Sequence, residues 1–125
     1  MKKLILLCSF FAFFAVVATA QNNATNQEQN GNDNTSDITQ TGYQNTSSVK
    51  QNGNDNTIIL GQNGANNSID YLNAGSDNAV NLDQVGNNNQ AVTMIQASLN
   101  QVTNTQSGDG NIINQDLSSD QSQAV

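Results

Sequence analysis

Apolar side chains follow two different patterns along the chain. Residues 4–17 form an almost unbroken apolar run, whereas later apolar residues occur at alternate positions of short segments, as in Ile69 and Tyr71 or Val80 and Leu82. A period of two places side chains on one face of a β-strand. The pattern therefore predicts a β-structured chain behind an apolar N-terminal segment.

The N-terminal segment has the three parts of a secretory signal peptide. Lys2 and Lys3 precede the apolar run, and the small residues Ala18-Thr19-Ala20 follow it. A retained membrane anchor or a lipoprotein are the alternatives, but the run is short for a membrane span, and Leu7 is bulkier than the residue that usually precedes a lipid-attachment cysteine. We expect cleavage of residues 1–20, so that the mature chain begins at Gln21.

An eleven-residue period runs from Gln29 without insertion. The first position of each unit is Gln in six of eight units, and the third is Gly in seven of eight. The sixth position is Asn in every unit: Asn34, Asn45, Asn56, Asn67, Asn78, Asn89, Asn100 and Asn111. Such a period is the signature of a repeat architecture.

The apolar and charged residues separate within this frame. Apolar residues fall mainly at the eighth and tenth positions, which share strand parity with the Asn and Gln positions, whereas Asp37, Lys50, Asp70, Asp83 and Asp116 have the opposite parity. The remaining Asp residues lie between the strands, and an interior that excludes unpaired charge is expected of a real core. The predicted strands are 34–42, 45–53, 56–64, 67–75, 78–86, 89–97, 100–108 and 111–119.

Stacking of these strands gives the predicted fold. If the turns are β-arcs, consecutive strands face each other across a core, and residues 22 apart stack by parallel pairing. We predict an all-β fold, a two-sheet β-solenoid of about four 22-residue strand-turn-strand rungs that becomes cross-β amyloid when polymerised. The predicted divisions are a signal peptide (1–20), an N-terminal leader segment (21–33), a repeat domain (34–119) and a C-terminal tail (120–125).

The composition argues against several functions. After Gln21 the chain has ten acidic residues and one basic residue, a formal charge of −9, which disfavours nucleic-acid binding. It has no His, and its single Cys lies in the signal peptide, so the usual catalytic and thiolate metal groups are missing. We expect a protein that is not an enzyme, with no cofactor and no metal site.

The ends of the predicted stack are unprotected sheet edges. No helix, Pro or row of Lys is placed to cover them, although proteins usually protect such edges because they recruit other chains. The first and last rungs are also the least apolar, with Ser36 and Ser47 at one end and Asn104 and Gln115 at the other. We therefore expect a marginal monomer that gains stability by stacking end to end.

The pattern Q-x-G-x-x-N, doubled into 22-residue units after a signal peptide, resembles the curlin repeats of curli subunits, the functional amyloid of bacterial biofilms. The resemblance covers residues 29–119 and implies a secreted structural subunit that forms extracellular fibres on a Gram-negative bacterium, for adhesion and cell aggregation. It implies as partners further copies or related subunits, a curli-type outer-membrane channel and periplasmic chaperones, without nucleic acid and without membrane insertion of the mature chain.

The resemblance also implies which residues stack in the fibre. These self-assembly residues are Gln40, Gln51, Gln62, Gln84, Gln106, Asn34, Asn45, Asn56, Asn67, Asn78, Asn89, Asn100 and Asn111. Some units depart from the pattern: Ile95 and Ala97 replace Gln and Gly, and Asn73 replaces Gln. With the short leader, these departures leave both a main fibre subunit and a minor nucleating subunit open.

Two further hypotheses concern the aspartates. In a different class of function, a secreted carbohydrate-binding or carbohydrate-cleaving β-solenoid would use Asp37, Asp70 or Asp83 on its outer face. Separately, Asp33, Asp55 and Asp77 are spaced 22 apart and would stack at one edge, so acid or calcium could speed assembly by relieving their repulsion. In the alternative interpretation of both sets, the aspartates are ordinary solvated residues.

Overall fold

A computed structural model describes residues 22–125, so the predicted signal peptide lies outside the described residues. The described chain contains ten strands and no helix. They are β1 (Ala24–Asn30), β2 (Thr35–Tyr43), β3 (Thr46–Asn52), β4 (Thr57–Ala65), β5 (Ser68–Asn73), β6 (Ala79–Asn87), β7 (Gln90–Ile95), β8 (Gln101–Ser107), β9 (Ile112–Leu117) and β10 (Gln123–Ala124).

Consecutive strands alternate between two parallel sheets. One five-stranded sheet, called sheet A, has the order β1-β3-β5-β7-β9, and the other, sheet B, has the order β10-β8-β6-β4-β2. Every pairing joins residues 22 apart, for example Gln40 with Gln62 and Gln62 with Gln84. The predicted two-sheet β-solenoid is therefore confirmed, with its register.

The solenoid extends beyond the predicted repeat domain at both ends. Strand β1 comes from the segment predicted as a leader, and β10 comes from the predicted tail, so there are about five rungs where four were expected. The inward positions of β1 are Thr25, Gln27 and Gln29, which pair with Ser47, Val49 and Gln51. Because these side chains are polar, β1 lacks the apolar alternation by which the other strands were recognised.

The core lies between the sheets and contains the predicted apolar columns. Its buried members are Val49, Ile58, Leu60, Ile69, Tyr71, Val80, Leu82, Ala91, Ile95, Val102 and Leu117. Near the C-terminal end, Asn104 and Gln115 replace apolar residues and hydrogen-bond each other across the core, with the Nδ2 of Asn104 donating to the Oε1 of Gln115 at 2.6 Å. A polar pair can occupy the core there because each amide satisfies the other.

The two ends of each rung are closed by similar arcs. Each arc has a left-handed residue directly before its Asn, with φ between 55° and 60° at Asp33, Gln44, Asp55, Asn66, Asp77, Asn88 and Leu99. Asn and Asp tolerate this conformation better than other non-glycine residues. The arcs are alike at both ends, so successive half-rungs of eleven residues have similar geometry.

Candidate functional site

Buried amides form continuous ladders along the solenoid. In sheet B, the Nε2 of Gln40 donates to the Oε1 of Gln62 at 2.7 Å, Gln62 donates to Gln84 at 3.0 Å, and Gln84 donates to Gln106 at 2.7 Å. The second hydrogen of each amide donates across the core to sheet A, as from Gln62 to the Thr46 carbonyl at 3.1 Å. Gln62 and Gln84 are thus fully bonded although each is only 1% exposed.

The ladder has a direction. In every step, the residue nearer the N-terminal end donates and the residue one rung later accepts. A chain of amides aligned in this way is polarised along its length, which strengthens each bond. Its accepting end is therefore chemically different from its donating end.

The asparagines join rungs through the backbone as well as through each other. The Nδ2 of Asn56 donates to the Gly75 carbonyl at 2.9 Å, and that of Asn67 donates to the Gly86 carbonyl at 2.8 Å. The Oδ1 of Asn56 in turn accepts the backbone N–H of Asn78 at 3.1 Å. Six of the eight Asn residues close the arc of the next rung in this way, which explains why Asn recurs at the sixth position of the period: Asn34, Asn45, Asn56, Asn67, Asn78 and Asn89.

The structure brings the predicted residues together as three separate columns. One column holds Gln40, Gln62, Gln84 and Gln106, the second holds Asn34, Asn56, Asn78 and Asn100, and the third holds Asn45, Asn67, Asn89 and Asn111. Gln51 lies apart from these, in sheet A, where it accepts a hydrogen bond from Gln29 at 2.7 Å. The role of all these residues in assembly stays a prediction.

Two ladder residues were not among the predicted set. Gln29 extends the sheet A ladder by one rung, and Asn23 places its Oδ1 3.0 Å from the backbone nitrogen of Asn45, as the other Asn residues do. Both lie 22 residues before a predicted member, and that spacing could have identified them. They were missed because the segment around them lacks apolar residues.

The sheet A ladder is interrupted at Asn73. This shorter side chain turns to the arc, where its Oδ1 accepts from the backbone of Gly75 at 2.9 Å and from Asn78 at 3.0 Å. Its Nδ2 has no partner, and Ile95 occupies the next position of the column. The amide ladder of sheet A therefore ends two rungs before the ladder of sheet B does.

Glycines bring neighbouring arcs into close contact. A Cβ on Gly42 or Gly64 would lie 1.9 Å from the carbonyl oxygen of the glycine one rung later, and one on Gly53 would lie 2.3 Å from the Gly75 oxygen. No side chain fits there. The close approach of the next rung therefore requires glycine at these positions, in addition to their positive φ.

Charged groups line the outside of the solenoid. Lys50 and Glu28 form an exposed ion pair of 3.0 Å between adjacent strands of sheet A, and the ammonium group lowers the pKa of Glu28. In the interior, burial raises the pKa of the Tyr71 phenol, whose hydroxyl has no hydrogen-bond partner. All the charged side chains of residues 22–125 lie off the buried face, as predicted.

The outer aspartates do not form one site. Asp37 and Asp83 border a shallow depression of sheet B around Gly61, whereas Asp70 lies on the outer face of sheet A. Asp33, Asp55 and Asp77 occupy consecutive arcs, joined by backbone hydrogen bonds of 3.0 Å. Among residues 22–125 there is no cluster of acidic side chains able to hold a metal ion, and no helix long and apolar enough to cross a membrane.

Residues 31–64 match the family described as the curlin associated repeat. The chain therefore contains a curlin repeat. The matched segment contains β2, β3 and most of β4, and the same residue spacing and the same arcs continue through the rest of the solenoid. A search of curated proteins found no significant match.

Proposed function

We propose that this protein is a member of the curlin-repeat family and a secreted subunit that assembles end to end into extracellular, curli-like amyloid fibres for biofilm matrix, adhesion and cell aggregation. The main support is that both sheets end in open strand edges, and that the glutamine ladders reach these ends at Gln29 and at Gln106. At the C-terminal end, β10 pairs with only Gln101 and Val102 of β8. Open parallel edges with aligned amides are templates for further cross-β pairing.

The energetic balance of the monomer supports the same proposal. The terminal strand β1 is exposed along its whole length, and the inward residues of β2 are only partly covered. Adding a second copy would cover the exposed side of the end rungs and satisfy their edge groups. Assembly therefore supplies the strand pairing and the burial that the end rungs of each copy lack.

The proposal includes transport and location. Cleavage of residues 1–20 would release the chain from Gln21, and a curli-type channel with periplasmic chaperones would deliver it to the surface of a Gram-negative cell. The described residues offer no catalytic constellation, so we assign the protein a structural role. Whether it extends fibres as the main subunit or starts them as a nucleator is decided by mixing trace amounts with a homologous subunit and timing the lag.

Incubation of the purified chain with thioflavin T, followed by fibre diffraction, tests the proposed assembly. We expect a sigmoidal rise in fluorescence and fibres with a meridional reflection near 4.7–4.8 Å, the spacing of strands along a cross-β axis. A chain that remains monomeric at high concentration would refute the proposal. Cleavage of a glycan by that monomer would instead favour the carbohydrate-active alternative.

A further inference from the structure

The two open ends of the solenoid can join in two registers. In a full-rung joint, β1 of the next copy pairs with β9, so that both copies keep the same sheets on the same side. In a half-rung joint, β1 of the next copy pairs with β8 and its β2 pairs with β9, so that the next copy is rotated by half a turn. Both continue the parallel pairing, because successive half-rungs have similar arcs.

Strand pairing differs between the two joints. The outer edge of Thr103–Ser107 in β8 carries no strand among the described residues, because β10 pairs only with Gln101 and Val102. A full-rung joint leaves that edge open. In a half-rung joint, β10 dissociates from Gln101 and Val102 of β8. The seven residues of β1 from the next copy then pair with all seven residues of β8.

The direction of the glutamine ladder also distinguishes the joints. Gln106 is the last donor of sheet B, and it uses one amide hydrogen for the Gln90 carbonyl at 3.0 Å, so a second hydrogen remains for a residue beyond it. Gln29 donates to Gln51, and no described residue donates to its Oε1. In the half-rung joint these two groups meet, and the ladder runs from Gln106 into Gln29 and Gln51 of the next copy without a reversal.

The full-rung joint loses this match. It places Leu117 beside Gln29 of the next copy, so the Oε1 of Gln29 would lie at an apolar side chain. The half-rung joint instead places Leu117 beside Gln40, whose Oε1 already accepts from the Thr25 hydroxyl of its own chain at 3.0 Å. The half-rung joint therefore gives the Oε1 of Gln29 a donor, and the full-rung joint does not.

The charges favour the same register. The full-rung joint stacks Asp116 on Glu28 of the next copy, which places two carboxylates about 4.8 Å apart on one face. Lys50 lies on the far side of Glu28 and cannot separate the two. In the half-rung joint, Asp116 stacks on Thr39, Glu28 stacks on Thr105 and Asp37 stacks on Asn114, so no two like charges are direct neighbours.

We propose that copies of this protein join by the half-rung register, with β1 and β2 of one copy seated on β8 and β9 of the preceding copy. This inference rests on the proposed end-to-end assembly and adds its interface. Each copy then advances the fibre by about 22 Å with a half-turn, instead of about 24 Å without one, at a rung spacing of 4.8 Å. Strand β10 acts as a short temporary cover of the β8 edge until the next copy displaces it.

Disulfide trapping distinguishes the two registers with two cysteine pairs that have residue 26 in common. Asn26→Cys is combined with Thr103→Cys to report the half-rung joint or with Asn114→Cys to report the full-rung joint, and all three residues are exposed and point outward. Cys8→Ser is present in every variant, so the introduced cysteines are the only thiols whether or not residues 1–20 remain. Both pairs leave Glu28, Lys50 and Asp116 unchanged.

Within one copy neither pair can form a bond. Residue 26 lies on the first rung, and residues 103 and 114 lie on the fourth and fifth, at least about 14 Å away along the axis. Stacked neighbours in adjacent copies have Cα atoms about 4.8 Å apart, which lies inside the range that a disulfide spans. The Asn26→Cys single variant is the control for random collisions, because equivalent residues in successive copies are about 22 Å apart.

We expect mild oxidation of fibres to give covalent oligomers at least about tenfold more abundant for the Asn26/Thr103 pair than for the Asn26/Asn114 pair. Predominant linkage of the Asn26/Asn114 pair, equal linkage of both pairs, or linkage of neither pair in well-formed fibres would overturn the half-rung register and leave end-to-end assembly standing. Absence of fibres from the Cys8→Ser chain without other substitutions would instead refute the proposed function. The axial rise of unmodified fibres, about 22 or about 24 Å, gives an independent reading.

Discussion

Backbone conformation at single arc positions limits which residues the solenoid accepts. Leu99 adopts a φ of 60° although it is neither Gly nor Asn, and its side chain is 54% exposed. A left-handed conformation costs such a residue about 1–2 kcal/mol. The equivalent positions in other arcs are held by Asn66 and Asn88, whose φ is 57°.

We therefore predict that Leu99→Asn stabilises the protein by about 0.5–1 kcal/mol, because the strain is relieved and little burial is lost. A higher denaturant midpoint for unfolding of the monomer, or for dissociation of fibres, would show it. Ile112→Asn is the control, since Ile112 is also exposed but lies in β9 without positive φ. An equal gain from both substitutions would attribute the effect to reduced surface hydrophobicity.

Two glycines with positive φ allow the energetic cost of backbone strain to be measured apart from the cost of a steric clash with the next rung. Gly53 has a φ of 116°, and its added Cβ would lie 2.3 Å from the Gly75 oxygen, whereas Gly110 has a φ of 72° with open space around it. We predict that Gly53→Ala costs about 3 kcal/mol or more, because an adjacent rung must shift. Gly110→Ala should cost only about 1 kcal/mol. Equal losses in chemical denaturation would mean that rung contact does not select glycine.

At the scale of the element, the glutamine ladder joins strands of successive rungs through buried amides. Removing a buried ladder amide leaves its neighbours without a partner, at about 1–3 kcal/mol for each orphaned group. Gln62 bonds to three groups, since it accepts from Gln40 and donates to Gln84 and to the Thr46 carbonyl. The middle of the column is therefore its most sensitive part.

Replacing both Gln62 and Gln84 by Ala should slow fibre formation strongly. Replacing the outward residues Asn81 and Gln90 by Ala is the matched control, because it also removes two amides but from exposed positions. Thioflavin kinetics and seeded elongation rates compare the two variants. Similar rates for both would contradict a role of the inward amides in assembly.

Much of this arrangement could be predicted from the period of eleven. Charge parity located the buried face, and identical residues 22 apart gave the register of both sheets. Three features could not be predicted because they depend on contacts between rungs: the bonding of Asn56 and Asn67 to arc carbonyls, the close approach at Gly64, and the turning of Asn73 toward its arc. Strand β1 escaped detection because hydrogen bonds hold its polar inner face in place of apolar contacts.

At the scale of the whole molecule, net charge opposes the stacking that the ladders favour. Asp33, Asp55 and Asp77 occupy one column of arcs, one rung apart, and all three are exposed. Two like charges about 5 Å apart repel by somewhat under 1 kcal/mol in water. Every further copy adds such a column to the fibre, so the repulsion grows with assembly.

We predict that assembly is faster at pH 4 than at pH 7, and that calcium at pH 7 has a similar, smaller effect by screening the column. The triple variant Asp33→Asn, Asp55→Asn, Asp77→Asn should assemble faster at pH 7 and respond less to acid.

The matched control is Asp37→Asn, Asp70→Asn, Asp83→Asn, which removes the same charge from strand positions where no carboxylate stacks directly on another. If both triple variants behave alike in thioflavin kinetics, net charge controls the rate and the arc column has no special part. If wild-type kinetics are unchanged between pH 7 and 4 with and without calcium, neither the column nor the net charge limits assembly, and the open edges alone set its rate.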